Sequence, residues 1–91
     1  MADKKRSYRL ELITPDKTVL SEEVIFTVVK SGAGPVGIMP EHAPLLGTVD
    51  VGVLTYRDLE KADHQLNVGP GFFMVSNDGL SIVARTAEIV S

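Results

Sequence analysis

No cysteine occurs in the 91 residues, which removes any disulfide framework, thiolate chemistry and Cys-ligated zinc from consideration. Excess positive charge is also lacking. Nine Lys plus Arg stand against twelve Asp plus Glu, for a net charge of -3, so no field favours phosphate backbones and nucleic acid is not an expected partner. The short basic run Lys4, Lys5, Arg6 reads as part of a flexible, solvated N-terminal tail over residues 1–7. No stretch approaches the roughly 18 to 20 consecutive apolar residues of a membrane span, and no apolar segment follows the basic start as a secretory signal requires. These absences lead to the expectation of a soluble protein without direct membrane insertion.

What is present is hydrophobic residues at 44% of the chain, with a mean hydropathy of +0.14. That suffices for one compact domain and not for two. Short β-branched and apolar runs are separated by Gly, Pro, Asp and Asn, and no convincing helical period intervenes. In residues 8–13, Tyr8, Leu10 and Leu12 alternate with Arg9 and Glu11, the period of a strand with one wet face. Residues 24–30 predict a strand apolar on both faces, with Val24, Phe26 and Val28 on one side and Ile25, Thr27 and Val29 on the other. Further strands are predicted over 51–57, 64–68, 72–76 and 80–85, the last with Leu80, Ile82 and Ala84 inward. Asn77-Asp78-Gly79 marks a hairpin through the positive φ angles that Asp-Gly accommodates. Residues 58–63 predict an exposed hairpin tip or one helical turn. The pattern predicts an all-β sandwich.

Few groups suggest chemistry. Gly32-Ala33-Gly34-Pro35-Val36-Gly37 fits G-x-G-x-x-G after a strand, but Pro35, Pro40 and Pro44 oppose the helix whose N-terminus a dinucleotide needs. The favoured reading is a glycine-rich turn at a sheet edge. A small ligand- or nucleotide-binding module using residues 32–37 remains the alternative function. His42 and His64 are the only histidines, and neither has another histidine at helical metal-ligand spacing, so only the fold could assemble a metal site. No metal and no cofactor is expected. His42 fits a hydrogen-bonding or interface role, and His64 the wet face of a strand. No serine lies in a nucleophile elbow, and neighbours Glu22 and Glu23 point to opposite faces, as at a solvated strand start. No catalytic residue is expected. Ile38, Met39, Leu45 and Leu46, set among prolines, belong either in the core or on a protein-contact surface.

The segment Gly37-Ile38-Met39-Pro40-Glu41-His42-Ala43-Pro44-Leu45-Leu46 resembles G-I-x-P-x-H-A-P-L-L of the epsilon subunits of bacterial F-type ATP synthases. Gly52-Val53-Leu54 is similar to the family's P-G-V-L, Gly69-Pro70-Gly71-Phe72 to S-G-G-F, and Ala84-Arg85-Thr86-Ala87 to A-D-T-A. Leu10-Glu11-Leu12-Ile13-Thr14-Pro15-Asp16 resembles the opening L-x-I-V-T-P-E. Order and spacing agree over residues 8–88, leaving 89–91 as a short end.

The resemblance implies a flattened β-barrel or sandwich of two roughly five-stranded sheets. It implies a non-catalytic rotor subunit of the central stalk, peripheral at the cytoplasmic face of the bacterial inner membrane, with the gamma subunit and the polar loops of the c-ring as partners. Such a part couples proton flow to ATP synthesis. By position, the turn Gly34, Pro35 and Val36 matches the c-ring-facing loop, and His42, Leu45 and Gly47 match the segment near gamma. Pro35 stands where many relatives carry Glu, and Arg85 where Asp is usual. Relatives usually continue into an α-helical hairpin that extends along gamma to inhibit hydrolysis and in some binds ATP. The sequence ends at Ser91, so the resemblance implies assembly without that latch.

Overall fold

A computed structural model describes residues 6–32 and 34–90. Most of the expected N-terminal tail, with Lys4 and Lys5, and the last residue of the chain therefore lie outside the described residues. Nine strands run in chain order among them: β1 (Tyr8–Ile13), β2 (Thr18–Ser31), β3 (Gly34–Ile38), β4 (Leu45–Val49), β5 (Gly52–Asp58), β6 (Asp63–Val68), β7 (Gly71–Ser76), β8 (Gly79–Ala84) and β9 (Ala87–Ile89). They hydrogen-bond in the order β4-β7-β8-β1-β2-β5-β6-β9, with β3 on the far part of β2. Only β1 and β8 pair in parallel among them.

Strands β1, β5, β6, β7 and β8 bury alternate residues on one side only. Leu10 and Leu12 of β1, Leu54 of β5, Leu66 of β6, Phe73 of β7 and Leu80 and Ile82 of β8 are all essentially inaccessible and fall in a single cluster. One-sided strands from both arms of a ladder can share a cluster only if the ladder folds over on itself, which is a sandwich. The sheet does not close into a barrel, since β4 and β9 end the path without pairing to each other. Full burial of each Leu, Ile or Phe contributes about 1.5–3 kcal/mol relative to exposure. Among the described residues every buried side-chain polar atom has a hydrogen-bond partner.

The long strand β2 makes the folding-over possible. The predicted strand at 24–30 is a fragment of it, and the predicted faces change midway. Pairing with β5 shifts register between Val24 and Phe26, so one extra residue turns the strand. Val24, Thr27 and Val29 are buried, while Phe26 and Val28 are only half buried. The simple alternation expected for 24–30 is thus corrected by a bulge. Glu22 and Glu23 lie inside this strand rather than at a solvated start: Glu23 accepts from Ser7 Oγ at 2.8 Å, and Glu22 from the Tyr56 hydroxyl at 3.2 Å.

Turn chemistry sets the hairpins. Residues 58–63 form a hairpin tip in which Asp58 Oδ1 accepts from the amides of Glu60 and Ala62. Between β7 and β8 the hairpin is where Asn77-Asp78-Gly79 puts it, with Ser76 paired to Gly79. Its positive φ, however, falls on Gly79 alone, at 137°.

Candidate protein-contact surfaces

The glycine-rich segment splits between a turn and a strand. Gly32 lies in the β2–β3 turn, whereas Gly34, Pro35 and Val36, expected in a turn, are strand residues opposite Ser31, Lys30 and Val29. A strand, not a helix, follows the turn, so no helix N-terminus faces a pyrophosphate. β3 pairs only with β2, and edge position is what tolerates Pro35, which has no N–H for a further neighbour. Pro35 is exposed, Gly34 (φ 123°) has open space around it, and Val36 packs against the core.

The stretch after β3 is tied down from within. Tyr8 carries one proton for two partners at 2.7 Å, so its hydroxyl donates to the Ile38 carbonyl and accepts from Thr27 Oγ1. Burial pushes its phenol up to about 12, partly offset by the Thr27 bond. His42 is half buried, its Nδ1 lies 2.6 Å from the Ala43 carbonyl, and it lines a recess with Tyr8, Ile38 and Val75. Ile38 is core, whereas Met39, Leu45 and Leu46 are exposed to different degrees.

His42, Leu45 and Gly47 play unequal parts. Leu45 and Gly47 sit opposite Val75 and Phe73 on the core-facing side of β4. A side chain at Gly47 would run into the Phe73 ring, with Cζ at 2.6 Å, so Gly47 makes room for the core. The outward side of β4 belongs to Leu46 and Thr48. Leu46 pairs with Met74, Thr48 with Phe72, and Phe72 with Val83. Leu46 (72% exposed), Phe72 (66%), Val83 (49%) and Met74 (46%) thereby form one continuous apolar face on β4, β7 and β8. Sequence reasoning offered Leu46 for a contact surface as one of two readings and missed Phe72, Met74 and Val83. The signal for the face was the unbroken run Phe72-Phe73-Met74-Val75, in which both sides of a strand are apolar.

His64 lies apart from these surfaces, at the junction of β2, β5 and β6. It faces the core side with Leu66 and Val68 rather than the wet face expected, because it stacks on Tyr56 at 4.8 Å and bonds Asp58 Oδ2 at 2.7 Å.

The family model described as "ATP synthase, Delta/Epsilon chain, beta-sandwich domain" matches residues 7–90. Among similar curated proteins, the ATP synthase epsilon chain of Moorella thermoacetica is 39% identical over 82 residues, covering 90% of this chain and 61% of the relative. That of Desulforamulus reducens is 40% identical over 83 residues, covering 91% and 62%. The chain spans about three fifths of the length of these relatives. Among solved structures, a chain of the Euglena gracilis mitochondrial ATP synthase (OSCP/F1/c-ring) superposes with a TM-score of 0.89 at 20% identity, covering 97% of this chain and 56% of that one. One from the Tetrahymena thermophila mitochondrial ATP synthase central stalk/c-ring gives 0.74 at 17% identity, covering 94% and 68%. At those identities the two structures speak to fold alone, and the fold they share is the folded-over sheet described above. With the family model and the epsilon chains matching nearly the whole domain, this chain belongs to the ATP synthase delta/epsilon family as its β-sandwich domain.

Proposed function

We propose that this domain is a non-catalytic part of the rotor of a bacterial F-type ATP synthase, bound to the gamma subunit on one side and to the polar loops of the c-ring on another. In that place it couples proton flow to ATP synthesis as a peripheral component at the cytoplasmic face of the membrane. Among the described residues no helix is long and apolar enough to cross a membrane. The observation that carries the proposal is the exposed apolar face of Leu46, Phe72, Met74 and Val83 on a domain of this family. Continuous apolar surface of this kind marks protein contacts. Gamma is assigned to that face together with His42, Leu45 and Gly47 at its margin, and the c-ring to Gly34, Pro35 and Val36 on the exposed edge strand.

The absence of cysteine makes the assignment directly testable. Single cysteines at Pro35 and at Leu46, each carrying a short bifunctional crosslinker in the assembled ATP synthase, report their neighbours without background from this chain. Position 46 is expected to yield a product with gamma and position 35 a product with subunit c. Exchange of the two products, or crosslinks to neither, would remove the assignment.

A further inference from the structure

At one rim of the sandwich the core-facing alternation of three strands ends in polar groups. Val68 and Leu66 of β6 are followed on the same side by His64, Leu54 and Tyr56 of β5 by Asp58, and Val24 of β2 by Glu22. Glu22, Asp58 and His64 are each half buried, and each offers a ligand atom within 4.8 Å of the other two. Asp58 and His64 belong to one hairpin, whereas Glu22 comes from a neighbouring strand through the β2–β5 pairing.

The groups are held in place by bonds that leave their ligand atoms converging. Asp58 Oδ1 accepts from the amides of Glu60 at 2.8 Å and Ala62 at 3.0 Å, which turns Oδ2 toward His64 Nε2, 2.7 Å away. Tyr56 donates to Glu22 Oε1, and its ring stacks on His64, fixing the imidazole plane. Arg57 of this hairpin is engaged with Asp63 on the opposite face at 2.8 Å. Two carboxylates therefore face one imidazole.

We infer that Glu22, Asp58 and His64 form a site for a single divalent transition metal of the zinc class. One imidazole nitrogen and two carboxylate oxygens are a three-ligand set zinc accepts, with a fourth position left for water. Bonds of about 2.0–2.2 Å at tetrahedral angles need donors a little over 3 Å apart, so the three ligand atoms, now within 4.8 Å of one another, would draw closer on binding. The metal takes the place of the proton in the Nε2–Oδ2 hydrogen bond, and that proton leaves as the metal binds. Tyr56 and the two hairpin amides are then the outer groups that orient the ligands. Bound metal ties β2 to the β5–β6 hairpin, stiffening that end of the domain.

The test is titration of the purified chain with Zn²⁺ by calorimetry and with Co²⁺ by visible absorption. One equivalent is expected to bind with a Kd below about 10 µM, and Co²⁺ to give the absorption of a low-coordinate site. Glu22→Gln preserves an acceptor for Tyr56 and leaves the Asp58–His64 bond intact. It is therefore expected to leave the metal-free melting temperature unchanged while weakening binding at least about tenfold. His64→Gln should abolish one-to-one binding, and His42→Gln should not alter it. Failure of the chain to take up one equivalent, or uptake indifferent to both Glu22→Gln and His64→Gln, would overturn the inference.

Discussion

Gly79 and Gly47 show how single positions hold the two arms of the sheet together. Gly79 combines a φ of 137° with close approach of the Arg9 carbonyl from the parallel neighbour β1, so any side chain there meets backbone that cannot swing aside. Gly79→Ala is expected to cost roughly 2–4 kcal/mol, measured as a fall in the urea midpoint. At Gly47 the obstacle is the Phe73 ring, which can shift, so Gly47→Ala should cost less, about 1–3 kcal/mol. A loss of gamma binding from Gly47→Ala without loss of stability would instead make the glycine a contact in its own right. Tyr8 gives the domain a dependence on alkaline pH. Its phenol is raised from 10.0 to about 12, so the unfolded chain ionises first as pH rises. The stability that Tyr8 confers is complete below pH 10 and drains away between about 10 and 12. Tyr56 is raised similarly, by burial and then by the Glu22 charge. Denaturation at pH 8 and pH 11 should therefore show Tyr8→Phe less stable than the parent at pH 8 by about 1–2 kcal/mol, with the gap narrowing at pH 11.

Among elements, the outer face of β4, β7 and β8 separates stability from contact. Phe72 is mostly exposed, so Phe72→Asp should change folding stability by no more than about 0.5 kcal/mol. Its effect on gamma binding should be a loss of about 2 kcal/mol or more, measured by calorimetry against purified gamma. The same strands show what local sequence can convey. β1 is bounded where its alternation says, and the inward set Leu80, Ile82 and Ala84 follows from period two alone. β2 was only partly legible, because its bulge is set by pairing with β5 and not by its own residues. β9 drew no expectation; its three residues are a strand only because β6 offers an edge. The Glu22 cluster was illegible for the same reason: Glu22 meets Tyr56 across 34 residues of chain. For the contact surfaces, resemblance to known sequences drew attention to 34–36 and to His42, Leu45 and Gly47. The alternation of β4 instead turns Leu46 outward and Gly47 inward.

As a whole molecule the domain has one core shared by both arms of a single ladder, within extents of 41 × 25 × 24 Å. Close packing of this kind resists compression and transmits strain, which is what the proposed place in a rotor would demand. The exposed edge strand β3 and the apolar face of β4, β7 and β8 are the surfaces the proposed rotor role would use, one for each partner, where a one-site ligand-binding module needs neither. The measurement that bears most directly on this account is equilibrium binding of the chain to purified gamma, with NAD and ATP titrated in parallel. The account predicts saturable one-to-one binding to gamma at micromolar concentration or below, abolished by Phe72→Asp, and no saturable uptake of either nucleotide. Indifference to gamma together with saturable nucleotide binding lost on Gly34→Asp would contradict it.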